Sequence, residues 1–159
     1  MSYNVINMNT NYSWLSKINL IKWNKKSILI IGSGGIAEQY CIALSQMKIK
    51  DVTILSRSFD NASSLAKNFN FNPMGGGYEE NLKMLKKFDL VIIALPINSL
   101  ILATKTALES GQTNILVEKP GSLYFDDLLE LNSKILNQKI RIAYNRLVYP
   151  NFHLLKEDR

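Results

Sequence analysis

Three stretches of this 159-residue chain combine residue types able to hold and act on a charged small molecule: Gly32-Ser33-Gly34-Gly35-Ile36-Ala37, Glu118-Lys119-Pro120 and Ala143-Tyr144-Asn145-Arg146. In the first, glycines let the chain turn sharply after an apolar run and bring its backbone close to an anion. Gly32 supplies the unusual backbone angles, Gly34 removes the Cβ that would stand in the place of a phosphate, and Ala37 permits close packing of a helix on a strand. The amides at the helix start, from Gly34 through Gly35 to Ile36, then face the phosphate with no cation required. Glycine-rich turns also serve merely structural ends. A strand before this one and a helix after it point to nucleotide binding.

The elements that must position these stretches follow from periodicity. Ser27 to Ile31 is an apolar, β-rich run; Ile36, Tyr40, Ala43, Leu44 and Met47 recur at helical spacing; Val52 to Leu55 is again a strand. A second helix carries Ala62, Leu65, Ala66 and Phe69, with Asp60 or Ser58 as its cap. Asn70 to Gly77 reads as extended chain and turn, since it holds Pro73 and three consecutive glycines. Glu79 and Glu80 suit the first turn of a short helix ending near Phe88.

The second half repeats the alternation. Leu90 to Ala94 is a continuous apolar run, as in a strand covered on both faces. A helix through Leu100, Ala103, Thr104, Ala107 and Leu108 stops at Gly111, and Ile115 to Val117 is the next strand. A last helix carries Leu128, Leu131 and Ile135 behind Asp126 and Asp127, and leads to a strand at Lys139 to Ala143. Such alternation requires right-handed crossovers and a parallel sheet. The expected fold is therefore α/β, a Rossmann-like doubly wound parallel sheet in a single domain over residues 27–159, preceded by an extension at 1–26. In that extension Ser13 to Ile21 suits a short helix whose Trp14, Leu15, Ile18 and Ile21, with Trp23, cover a sheet edge or a partner surface.

Composition narrows the classes. The chain is 47% hydrophobic and 20% charged, the balance of a folded domain rather than a disordered one. No apolar run reaches the roughly 18 residues needed to span a bilayer, and no secretory leader opens the chain, so the expected location is cytoplasmic without a membrane partner. The net charge of +6 is scattered over Lys25-Lys26, Lys48 with Lys50, and Lys86-Lys87, with no basic stripe, which argues against nucleic acid. The one cysteine, Cys41, reads as packing, and the one histidine, His153, as structural or exposed. No metal site is expected.

The choice of nucleotide is made where the second strand ends. An NAD site usually places an acid there for the ribose hydroxyls, whereas this chain has Ser56-Arg57-Ser58. A guanidinium between two hydroxyls suits a 2′-phosphate. The expected cofactor is NADP, with NAD as the alternative, and no acid is expected near the 2′-phosphate.

Gly32 to Ala37, Ala94-Leu95-Pro96, Ala107-Leu108-Glu109-Ser110-Gly111, Val117-Glu118-Lys119-Pro120 and Ala143-Tyr144-Asn145-Arg146 together resemble the nucleotide-binding half of the Gfo/Idh/MocA oxidoreductases, over about residues 27–152. The resemblance implies that Lys119 lies by nicotinamide and substrate and assists proton transfer, and that Lys119-Pro120 is a cis bond. It also places Leu95, Pro96, Asn98, Glu118, Asn145 and Arg146 around the cofactor. Two features depart from the family: Leu95-Pro96 and Leu100 stand where members often have Thr-Pro and a histidine, and no C-terminal substrate domain is expected within these 159 residues. A second resemblance, from Lys26 to Gly35 and Asp51 to Ser58, is to the NADP-binding half of shikimate dehydrogenases, a family that lacks the Glu-Lys-Pro and Tyr-Asn-Arg stretches. The first is therefore preferred.

Three functions follow, in order. The chain is part of an NADP-dependent oxidoreductase acting on a sugar or nucleotide-sugar hydroxyl; it is a non-enzymatic dinucleotide-binding module that docks on a partner subunit; or it is a small reductase completed by homo-oligomerisation. On the first, the chain alone is expected to bind cofactor and turn over no sugar, because hydride transfer needs the substrate held against the ring.

Overall fold

The structure is a computed structural model that describes residues 23–135 and 137–145. Six strands form one parallel sheet: β1 (Ser27–Ile31), β2 (Asp51–Leu55), β3 (Asn72–Met74), β4 (Leu90–Ile93), β5 (Asn114–Val117) and β6 (Lys139–Ile142). Their order is β3-β2-β1-β4-β5-β6, so the chain starts in the middle, winds to one edge, returns and winds to the other. The expected Rossmann-like α/β fold is present. The order reverses between β1 and β4, and a crevice opens outside their C-terminal ends.

Helices α1 (Gly35–Gln46), α2 (Phe59–Lys67), α3 (Tyr78–Met84), α4 (Ile97–Glu109) and α5 (Phe125–Lys134) cover the two faces. Ile28 and Ile30 point into one apolar layer with Ala37, Cys41 and Ala62; Leu29 and Ile31 point into the other with Leu82, Leu100 and Ala103. These four of the five β1 side chains are essentially inaccessible. At about 1.5 to 3 kcal/mol per buried aliphatic side chain, this strand anchors the glycine turn that follows it.

Differences from the sequence reading are instructive. On α1 the buried residues are Ala37, Cys41 and Leu44, while Ile36 and Met47 are exposed, so of the expected stripe Ile36, Tyr40, Ala43, Leu44 and Met47 only Leu44 is buried and the stripe is otherwise rotated by one residue. The tight turn brings α1 close to the sheet, and close approach selects small side chains over large ones. Cys41 is fully buried, and burial pushes its thiol up to about 11. The segment read as extended chain and turn contains a true strand, β3, paired with β2 through Thr53 to Asn72, Ile54 to Pro73 and Leu55 to Met74. Pro73 is tolerated because β3 is an edge. Helix α3 ends at Met84, short of Phe88, which is buried in the core. The expected helix over Ser13 to Ile21 lies outside the described residues. Among the described residues, no helix is long and apolar enough to cross a membrane and no group of three His, Cys, Asp or Glu could hold a metal.

Candidate functional site

The crevice is a cleft of about 1080 Å³ lined from the ends of β1, β2, β4 and β5. Its floor is the glycine turn. Gly32 has φ +124°, and a Cβ there would lie 2.2 Å from the Ala94 carbonyl oxygen, so only glycine lets β1 and β4 close on each other at this point. The Gly32 amide donates to the Leu55 carbonyl at 2.8 Å, which locks the turn to the end of β2. Gly34 differs: its φ of −85° suits any residue, and a Cβ would meet nothing within 4 Å. Its missing side chain leaves empty space in the cleft.

Helix α1 starts at this turn with no side-chain cap, whereas α2 is capped by Ser58 Oγ, which accepts from the Asn61 amide at 3.4 Å. Helix α4, whose Asn98 and Ser99 also line the cleft, likewise starts without a side-chain cap behind Pro96. Two helix N-termini without side-chain caps thus bring the positive ends of their dipoles to one crevice, an arrangement suited to a phosphate chain.

At the β2 end, Ser33 Oγ and Ser56 Oγ are 2.9 Å apart and join the glycine turn to the strand. The Gly75-Gly76-Gly77 run folds over Ser56 and Arg57: the Gly76 amide donates to the Arg57 carbonyl and the Gly77 amide to the Ser56 carbonyl, both at 3.1 Å. Asn81 Nδ2 holds the run from the other side, donating to the carbonyls of Gly75 at 3.1 Å and Gly77 at 2.7 Å. Tyr78 and Glu79 therefore reach the cleft beside Arg57. Burial raises the Tyr78 hydroxyl, Glu79 adds to the shift through its charge and hydrogen bonding, and the Arg57 charge opposes it. The expectation that no acid stands near Arg57 is corrected here, because the glycine run folds α3 back onto the end of β2.

At the β5 end, Glu118 and the exposed Lys119 line the cleft, and the Lys119-Pro120 bond is cis. Tyr40 from α1 donates to Glu118 Oε1 at 2.6 Å. Burial, then the hydrogen bond and charge of Glu118, raise the Tyr40 hydroxyl far above the usual phenol range.

The cleft brings together Gly32, Ser33, Gly34, Gly35, Ile36, Ser56, Arg57, Ser58, Leu95, Pro96, Asn98, Glu118 and Lys119 of the residues singled out from sequence. Asn145 does not line it. Strand β6 is the edge beyond β5, so the residues after it stand one strand further from the crossover point. Arg146 and His153 lie outside the described residues. Sequence reasoning missed Asn61, Tyr78, Glu79 and Ser99 as lining residues and Tyr40 as the partner of Glu118. The three consecutive glycines are the sequence signal that points to Tyr78 and Glu79, since they let the chain fold back over the end of β2.

Comparison with known proteins gives two answers. By backbone, the chain is similar to myo-inositol dehydrogenase of Lactobacillus casei in complex with NAD(H) and myo-inositol, with a TM-score of 0.74, 16% identity and coverage of 84% of this chain and 40% of that one. It is also similar to an oxidoreductase of Thermotoga maritima, with a TM-score of 0.69, 25% identity and coverage of 84% and 42%. By sequence, it is 30% identical over 111 residues to the NADP(+) shikimate dehydrogenase of Prochlorococcus marinus subsp. pastoris, covering 59% of this chain and 38% of that protein. The chain thus spans less than half the length of each. The inositol dehydrogenase likeness is one of fold, while the second-ranked resemblance is the one carried by sequence. The family model of shikimate / quinate 5-dehydrogenases matches residues 15–126, from within the segment read as an extension to the start of α5, and it includes the glycine turn, Ser56-Arg57-Ser58 and Glu118-Lys119. This chain belongs to the shikimate/quinate 5-dehydrogenase family.

Proposed function

We propose that this chain is the dinucleotide-binding part of an NADP(H)-dependent oxidoreductase acting on a secondary hydroxyl of a polyhydroxylated substrate. The observation that carries the reading is the cleft itself. Uncapped amides of α1 and α4, empty space over Gly34, a guanidinium at one end and an ammonium at the other match the order pyrophosphate, ribose phosphate and reacting ring.

The residues fit such a cofactor, which when bound supplies a hydride acceptor or donor at its nicotinamide. The α1 amides and the Ser33 and Ser56 hydroxyls hold the phosphates by hydrogen bonds. Arg57 takes the 2′-phosphate through charge-assisted contacts. Leu95, Pro96 and Asn98 line the cleft between its ends, and Glu118, held by Tyr40, would lie beside the nicotinamide. Lys119, exposed in the cleft, would exchange a proton with the substrate oxygen.

The hydroxyl is that of a sugar or cyclic polyol, in keeping with the Glu118-Lys119-Pro120 resemblance. Family membership favours a ring acid of the shikimate or quinate type as a second reading. The test is a titration with NADPH and NADH followed by nicotinamide fluorescence. Tighter binding of NADPH is expected. Absence of binding by either nucleotide would leave only a structural role for the glycine turn, and equal affinities would remove NADP selectivity.

A further inference from the structure

We propose that Glu79 sets an upper limit on the preference of this cleft for a 2′-phosphorylated dinucleotide, by standing as a fixed negative charge beside Arg57. The inference rests on the cofactor reading above and adds a specificity-determining residue to it.

The placement is built by the backbone. A Cβ placed on Gly77 would lie 3.0 Å from Glu79 Oε2 and 3.7 Å from Arg57 Cγ, so the carboxylate and the arginine stem flank the same point of the cleft rim. Both charges also act, in opposite directions, on the Tyr78 hydroxyl. Gly77 has φ +75°, and its amide and carbonyl are held by Ser56 and Asn81, so the start of α3 stays against the end of β2. Glu79 and Arg57 are both exposed, and no ion pair joins them among the described residues. The arginine therefore remains available to a phosphate. The carboxylate repels that phosphate and can accept hydrogen bonds from the two hydroxyls of an unphosphorylated ribose.

The next acid on the helix gives a control. Glu80 does not line the cleft and pairs with Lys83 at 3.3 Å on the outer surface. Dissociation constants for NADPH and NADH would be measured by nicotinamide fluorescence on the full 159-residue chain and on Glu79→Gln, Glu79→Lys and Glu80→Gln, at low and at raised salt. An exposed unit charge within a Debye length of a phosphate changes affinity by about three- to ten-fold at low salt. Glu79→Gln should raise the ratio of NADPH to NADH affinity by about that factor, Glu79→Lys should raise it further, and added salt should shrink both changes. Glu80→Gln should leave the ratio alone.

An unchanged or lowered ratio in a folded Glu79→Gln protein would overturn the proposal, as would an equal shift in Glu80→Gln. If Arg57→Ala abolishes the preference while Glu79→Gln does nothing, the cofactor reading stands and only the role of Glu79 falls. If the parent binds neither nucleotide, both fall together.

Discussion

The two ends of the cleft are held in place by different means. At the β1–β2 end the positions are fixed mainly by main chain, Gly32 to Leu55, Gly76 to Arg57 and Gly77 to Ser56, with the Ser33–Ser56 hydroxyl pair and the Asn81 side chain in support. Arg57 itself is exposed, and its side chain makes no hydrogen bond or ion pair among the described residues. At the β5 end a cleft-lining side chain is fixed by another side chain, through the 2.6 Å bond from Tyr40 to Glu118. The contrast teaches where function and stability separate. At the first end the exposed Arg57 side chain can be changed with little loss of fold, whereas Gly32 cannot; at the second end a single hydroxyl holds a cleft-lining residue.

The largest effect should come from the glycines, and it should split them. Gly32→Val forces a side chain into the Ala94 carbonyl and onto a φ of +124°, so a loss of at least about 3 kcal/mol in urea unfolding is expected. Gly34→Val should unfold like the parent yet lose at least about a hundred-fold in dinucleotide affinity, because its side chain enters the cleft. If Gly34→Val is the less stable of the two, the division between a structural and a ligand-facing glycine collapses.

Arg57→Ala comes next. It should weaken NADPH binding by roughly 1 to 3 kcal/mol and leave NADH nearly unchanged, with no shift in melting temperature. A matching loss for both nucleotides would move the arginine from the 2′-phosphate to some other part of the ligand.

Tyr40→Phe probes the opposite end. Removing the hydroxyl strips Glu118 of its donor at a cost of about 1 kcal/mol, and the change in affinity should be shared equally by NADPH and NADH. Unequal changes would show that the two ends are not independent.

The smallest effect is expected far from the cleft, where Asp89 holds the starts of β1 and β4 together by accepting from Lys26 Nζ at 2.8 Å and from the Ser27 amide at 2.9 Å. The Lys26 hydrogen bond, and then that of the Ser27 amide, lower the Asp89 carboxyl below its ordinary value. A carboxyl with a depressed folded-state pKa stabilises at pH values above its unfolded pKa, near 4, and this contribution fades as pH falls through the folded value. Asp89→Asn should therefore be slightly less stable than the parent near neutrality, with the difference shrinking below about pH 4. A difference that grows on acidification would assign the shift to another group.

Sequence alone determined the alternation of strands and helices, the sharp turn at Gly32 and the opening at Gly34, and narrowed the cap of α2 to Ser58 or Asp60, because each of these depends on residues a few positions apart. It also carried enough of the family pattern for the shikimate dehydrogenase relation to be visible. Periodicity was least reliable on α1, where Ile36 and Met47 look like core residues but face outward. How closely the helix approaches the sheet decides which stripe is buried, and that distance is not written in hydrophobicity. The tertiary structure alone decided that Tyr40 meets Glu118 across 78 positions, that the glycine run carries Glu79 to Arg57, and that Asn145 ends one strand outside the cleft lining. These are consequences of strand order. A sheet that winds outward from β1 in both directions brings the ends of β1, β2, β4 and β5 to one crevice and leaves β6 at the rim, a geometry that no local stretch of sequence contains.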